Sequence, residues 1–201
     1  MSYAIDKKDF MSLSLNGIYE RLETDWIRRN ISNDMVCIDV GASIGYHTLL
    51  LSRYGKEVFA FEPFPEAIKL LKENIKSNNI HNIRVFNLLA GNKKGNKKLY
   101  INQGNFGANS VNGKGNYILS EENKIDNLNL GSIDFVKIDA EGYDLEVIQG
   151  MAKTLSKFHP VIMLERVYYS DKKLQEFLAR IDYNFFCLGS KTAICYPTHK
   201  I

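Results

Sequence analysis

Apolar residues recur along this chain in two alternating rhythms. Short apolar runs at 36–40, 57–62, 83–88, 133–139 and 160–165 read as buried strands. Between and around them, residues 8–30, 45–54, 65–77, 144–156 and 171–181 carry helical spacing. In the first of these, Leu13, Ile18, Leu22 and Trp26 form the apolar stripe. Such alternation predicts parallel strands with helices on both faces, joined by right-handed crossovers. Two final strands, 184–189 and 192–196, are linked by Gly189-Ser190-Lys191 and predict an antiparallel hairpin. The fold class is therefore α/β: a doubly wound, mostly parallel, Rossmann-like sheet ending in a C-terminal hairpin. One domain spans 1–201, with 1–34 as a helical cap and 35–201 as the core.

Residues 90–131 interrupt the rhythm with many glycines and asparagines. Lys97–Ile101 reads as a short strand. Gln103–Gly113 has neither period, and a loop that long inside a compact domain is often functional. Gly104–Gly113 is expected to be a mobile lid over the acceptor, with Asn105, Phe106 and Asn109 as contacts. Lys93, Lys94, Lys97 and Lys98 read as a solvated hairpin turn rather than a phosphate-binding patch.

The chemistry concentrates at the strand ends. Val36-Cys-Ile-Asp-Val-Gly-Ala-Ser-Ile-Gly45 reads as a strand, a glycine turn and a helix start. Gly41 and Gly45 leave room for a ligand against the backbone, and the helix N-terminus offers its amides. Glu62 ends the next strand, 23 residues after Asp39, where a carboxylate can accept both ribose hydroxyls. The glycine spacing is not that of a dinucleotide fingerprint. Asp39 suits an ammonium better than a pyrophosphate. Ammonium, ribose diol and adenine together describe S-adenosylmethionine. Ala42 and Pro63 lie in the same two turns. Leu88 can cover the adenine ring, and Asn87 either pairs with its edge or caps the strand end. Tyr46 and His47 open the first helix near the methionine carboxylate, unless His47 simply covers that helix end.

At this point the chain resembles the FkbM-type methyltransferases. The matching pieces are Asp39-Val-Gly-Ala-Ser-Ile-Gly-Tyr-His-Thr48, Phe61-Glu-Pro-Phe-Pro65, Ile133-Asp-Phe-Val-Lys-Ile-Asp-Ala-Glu-Gly-Tyr-Asp144 and Val161-Ile-Met-Leu-Glu165. Lys-Ile-Asp-Ala-Glu-Gly is the most family-specific segment. Asp144 departs from the pattern, where the family more often has Glu. The resemblance implies O-methylation, often of a sugar hydroxyl on a glycan, glycolipid or natural product, and association or fusion with a glycosyltransferase.

Asp139 and Glu165 end what should be neighbouring strands, so their carboxylates can share one space. They would then raise one another's pKa or hold a divalent cation. Either arrangement could help remove the acceptor's proton. Lys137 points to the same face as Asp139 and needs an acidic partner, with Glu165 and Glu141 as candidates. Asp139, Glu165 and Lys137 are the catalytic candidates. Glu141 and Tyr168 join the acceptor contacts, since aromatic faces suit sugar rings. His159 precedes Pro160 at the opposite end of a strand and reads as structural.

Composition narrows the alternatives. With 45% apolar residues the chain can bury a full core. A net charge of +3 is too slight to argue for nucleic acid. No apolar run reaches membrane-spanning length, and the start does not read as a signal peptide. Cys37, Cys187 and Cys195 lack metal spacing and read as reduced thiols of a cytoplasmic protein. Two other functions stay open: RNA 2′-O-methylation, for which a second lysine is missing, and a non-catalytic cofactor-binding domain.

Overall fold

The computed structural model describes residues 1, 3, 11, 13–102, 104–165 and 172–198. Helix α1 (Leu13–Asn16) and α2 (Arg21–Asn30) precede β1 (Val36–Val40), α3 (Tyr46–Tyr54), β2 (Glu57–Phe61), α4 (Pro65–Ser77) and β3 (Ile83–Phe86). Then come β4 (Leu89–Ala90), β5 (Gly95–Tyr100), β6 (Tyr117–Asn123) and β7 (Phe135–Ile138). Helices α5 (Asp144–Gly150) and α6 (Ala152–Phe158), β8 (Val161–Glu165), α7 (Lys172–Arg180), β9 (Tyr183–Leu188) and β10 (Thr192–Pro197) complete the order. The main sheet runs β3-β2-β1-β7-β8-β10-β9. Its first five strands are parallel, and β10 pairs antiparallel with both β8 and β9. The strand order reverses between β1 and β7, a switch point of the kind where open α/β sheets bind ligands.

Period-two alternation assigns every strand residue to a face. Ile38, Phe59, Val136 and Ile162 pack with Val147, Leu155 and Leu178 from α5–α7. Cys37, Val58, Phe135 and Met163 pack on the other face with Ile27 of α2 and Leu50 and Leu51 of α3. Asp39, Lys137 and Glu165 belong to this second set by the same alternation. One face of four strands thus gathers the charged residues at its carboxyl edge. The three cysteines are free, and burial pushes the Cys37 and Cys195 thiols up to about 12.

Several sequence expectations need correction. The expected helix over 8–30 is broken, because Gly17 (φ 66°) and Glu20 (φ 44°) are left-handed. Residues 8–10 lie outside the described residues. Leu22, expected in the apolar stripe, is exposed and rests against the β9–β10 turn at Gly189. The helix over 144–156 divides at Met151. The region 90–131 is not irregular: β4, β6 and β5 form a second, three-stranded sheet. On β6 Leu119 is exposed while Ser120 and Glu122 are buried, so burial runs against polarity and the pattern cannot reveal the strand. Lys97 and Lys98 are strand residues rather than turn residues. They alternate faces, Lys97 over the Tyr143 ring and Lys98 over Tyr117.

Candidate active site

Two cavities meet at the carboxyl edge of the main sheet. The inner one, about 840 Å³, is lined by the β1–α3 turn, the end of β2 and Leu88–Ala90. The outer one, about 1070 Å³, lies between Tyr19–Glu23, the ends of β7 and β8, and the β9–β10 turn. Tyr19, Asp139 and Glu141 border both.

The inner cavity is shaped by the turn after β1. Gly41 has φ 79°, and a Cβ there would lie 1.9 Å from the Asp139 carbonyl oxygen. Gly45 has φ 98°, and its Cβ would meet Leu71 at 2.4 Å. The sequence reading gave both glycines to ligand access. Gly41 lines the cavity as expected and Gly45 lies off its wall, and close internal packing and left-handed backbone also require both. Ser43, a residue the sequence reading missed, also adopts a left-handed conformation (φ 49°). That conformation aims its N–H at Glu62 Oε2, 2.8 Å away, while Phe64 N–H donates to Oε1 at 2.9 Å. Burial outweighs these two bonds and pushes Glu62 up to about 7. Asp39 is buried and accepts from the Thr48 hydroxyl at 2.6 Å through Oδ2. Its Oδ1 is buried without a hydrogen-bond partner. Burial raises its pKa, against the opposing effects of Lys137 and Thr48.

Ala42, Tyr46, Pro63 and Leu88 line this cavity as expected. Asn87 does not: its amide donates to the Glu62 and Pro63 carbonyls, both at 3.1 Å, which is the capping alternative. His47 lines the cavity, but its Nε2 turns to Glu20, 3.5 Å away, rather than to the end of α3.

The outer cavity holds two catalytic candidates, Asp139 and Glu165, and the third, Lys137, lines the inner one. The β7–β8 register pairs Ile138 with Leu164, so Asp139 and Glu165 are side by side. They are hydrogen bonded to each other. Burial, that hydrogen bond and the Asp139 charge push Glu165 up to about 9. The pair therefore shares a proton at neutral pH. Lys137 is buried with Nζ 3.5 Å from Asp139 Oδ2. Burial works against its charge, but Asp139, Asp39, Glu20 and Glu165 outweigh it and hold the ammonium above the ordinary lysine range. Its direct partner is Asp139, not Glu141. Among the described residues, no group of three or more His, Cys, Asp or Glu side chains is arranged to hold a metal ion.

Local hydrogen bonds hold this edge. Asp144 accepts from Ala140 N–H at 3.1 Å, so the shorter acid still pins the 139–142 loop. Glu141 has φ 48° within that loop. The Ser110 hydroxyl donates to the Glu141 carbonyl at 2.9 Å. Phe106 meets Phe64 edge-on at 5.0 Å. Phe106 and Asn109 line the inner cavity, and Asn105 lines the outer one. Tyr168 lies outside the described residues. His159 caps α6 away from both cavities, as a structural role requires.

Sequence reasoning missed Tyr19 and Glu20 altogether. The Thr24 hydroxyl donates to the Tyr19 carbonyl at 2.8 Å and hydrogen bonds with Tyr46 Oη at 3.1 Å. This fixes the left-handed Glu20 corner over α3. Only the acid and aromatic before a helix start hinted at it, and that pattern is too common to single out.

The strand order, with a cavity at its switch point, defines a Rossmann-like α/β fold. The Methyltransferase FkbM domain model matches residues 39–185, and the chain belongs to that family. Among solved structures, it is similar to an FkbM methyltransferase from Methylobacillus flagellatus KT (TM-score 0.62, 18% identity). That match covers 83% of this chain but only 44% of the other. A Streptococcus mutans protein assigned to the methyltransferases and solved in complex with SAH gives TM-score 0.55 at 13% identity, covering 88% and 96%. Precorrin-6y C5,15-methyltransferase from Geobacter metallireducens GS-15 gives 0.61 at 17%, covering 96% and 94%. No curated protein matches the chain. No helix among the described residues is long and apolar enough to cross a membrane.

Proposed function

We propose that this chain is an S-adenosylmethionine-dependent O-methyltransferase acting on a sugar hydroxyl of a glycan, glycolipid or glycosylated natural product. One observation carries the reading: a proton-sharing Asp139–Glu165 pair, braced by Lys137, borders a cavity with the polar groups this cofactor needs. The unpartnered Asp39 Oδ1 suits an ammonium, directly or through water. Glu62, near its midpoint at neutral pH, suits a ribose diol. Leu88 and Pro63 offer apolar surface for adenine, and the amides opening α3 suit a carboxylate. The bound cofactor supplies an activated methyl group on a positive sulfur.

The chain's own residues then have three tasks. The inner cavity orients the cofactor and excludes water. Asp139, beside the Lys137 ammonium and the Glu165 carboxyl, accepts the hydroxyl proton of the acceptor. Phe106, Asn109 and Glu141 border the acceptor at the seam of the two cavities. Carboxylates, not a second lysine, surround Lys137, which favours this reading over RNA 2′-O-methylation. A glycosyl-transfer step would supply such an acceptor, in line with the expected glycosyltransferase association and a cytoplasmic setting.

The test is methyl transfer from S-adenosylmethionine to a panel of alkyl glycosides, read by mass spectrometry. A mass gain of one methyl group, located on oxygen by fragmentation, is the expected result. Methylation of RNA but of no glycoside would reject the proposal.

A further inference from the structure

Two buried polar atoms stand open at the seam between the cavities. His47 Nε2 and Glu20 Oε2 are 3.5 Å apart, and neither has a hydrogen-bond partner. His47 is only 6% exposed. Buried polar atoms are nearly always satisfied, so a facing pair left open marks where another group belongs. The missing group must be a donor. Burial and the Lys137 charge hold His47 neutral, so Nε2 can present a lone pair. Burial, with the Asp139 and Glu23 charges, raises the Glu20 pKa against the pull of Lys137, so Glu20 gives up its proton when a cation arrives and can then only accept. Two acceptors 3.5 Å apart can both be served by one group with at least two N–H or O–H bonds.

The surrounding charge selects between those. Glu20, Glu23, Asp139, Glu141 and Glu165 all line the outer cleft. Their crowding and burial raise the pKa of both Glu165 and Glu20. The buried cation, Lys137, is already paired with Asp139. Arg21 and Lys191 also line the cleft but are exposed to solvent, where a charge is screened. A visiting anion would meet carboxylates on the floor. A visiting cation would relieve their crowding.

Building on the sugar O-methyltransferase reading, we propose that the acceptor carries a protonated amine beside the hydroxyl that is methylated. Glu20 and His47 seat this ammonium, each taking one N–H, while Asp139 faces the hydroxyl. The ligand class is an amino sugar with a free amine, or a natural product bearing one. Glu20 is delivered by a segment outside the residues matched by the family model, which begin at 39. The amine preference is therefore a property of this chain's own N-terminal corner.

The probes are the methyl glycoside of 2-amino-2-deoxyglucose, its N-acetyl counterpart and its 6-phosphate. Binding to protein saturated with SAH is measured by titration calorimetry, and methylation is followed separately with S-adenosylmethionine. The free amine should bind at least tenfold more tightly than either counterpart. Glu20→Gln should shrink that preference to threefold or less, with SAH affinity within twofold of the parent. The parent's comparison of the three probes needs no variant, so a folding defect in Glu20→Gln leaves the test intact. Equal binding of amine and N-acetyl probes, or preference for the phosphate, would overturn the ammonium seat. If amine and N-acetyl probes are bound and methylated equally, the seat fails and the sugar O-methyltransferase reading stands. Selective amine binding without methylation of any hydroxyl keeps the seat and removes the O-methylation reading. Neither selectivity nor methylation removes both.

Discussion

The inner and outer cavities are built in opposite ways. The inner one takes its hydrogen-bonded polar frame from one βαβ unit, although Leu88–Ala90, Phe106, Asn109 and Glu141 complete its wall: Asp39, Ser43, Thr48 and Glu62 lie within 24 residues of chain, Ser43 N–H donating to Glu62 and the Thr48 hydroxyl to Asp39. The outer one is assembled from Tyr19–Glu23, Asp139–Glu141, Glu165 and Leu188–Lys191, segments that meet only in the fold. A local unit brings its own hydrogen bonds, so its geometry is set before a ligand arrives. A composite cleft depends on packing between distant elements. Thr192 hydrogen bonding to Glu23, and Leu22 resting on the hairpin turn, are examples of such ties. Cofactor binding and acceptor chemistry should therefore respond to different mutations.

The sharpest way to break this division is Asp139→Asn. It keeps the shape but removes the charge that braces Lys137 and takes the proton. Turnover should fall about 100-fold or more, the loss typical of removing a general base. SAH affinity by calorimetry should stay within a few-fold. A matching loss of SAH affinity would show that the two cavities are not separable.

Glu62→Ala should do the converse. It removes the proposed ribose acceptor and leaves the Ser43 and Phe64 amides without their partners. We expect a loss of about 1–3 kcal/mol in SAH binding. Unchanged affinity would remove Glu62 from the cofactor site.

The pH dependence sharpens the outer half. Glu165, pushed up to about 9, keeps its proton at neutral pH and loses it as pH rises through that value. Turnover should climb over that window, because Asp139 then faces a second negative charge and becomes more basic. Glu165→Gln keeps a donor to Asp139 but cannot titrate, so its profile should be flat from pH 7 to about 9. A profile in the variant that still climbs would assign the ionisation elsewhere. The same shift has a stability sign. The folded carboxyl binds its proton more tightly than the unfolded one, so its contribution is full below the unfolded pKa. That contribution is lost as pH rises through about 9.

The smallest expected effect belongs to the inner half. Glu62, near 7 without cofactor, is roughly half protonated at neutral pH. Ribose hydroxyls donate to the ionised form, so SAH binding should lower its pKa and release a fraction of a proton. Calorimetry at pH 7 in buffers of different ionisation enthalpy measures that release. Proton uptake, or none, would count against the ribose contact.

The sequence by itself determined the α/β class, the parallel strands and the C-terminal hairpin, because alternation and helical spacing are local properties that burial enforces. It also placed Asp39, Glu62, Asp139 and Glu165 at strand ends, Lys137 on the face of Asp139, and Asp139 beside Glu165, since period two and strand adjacency suffice for that. Only the tertiary structure decided why the glycines are needed. Gly41 must pass the Asp139 carbonyl, a residue 98 positions later in the chain. Only the fold paired β4, β6 and β5, whose partners are too polar or too short to announce themselves. It also turned Asn87 to backbone carbonyls and brought Glu20 over His47. Those last contacts join residues from different elements through a left-handed corner and a buried tyrosine. No spacing rule encodes them, because they depend on how α2 packs against α3.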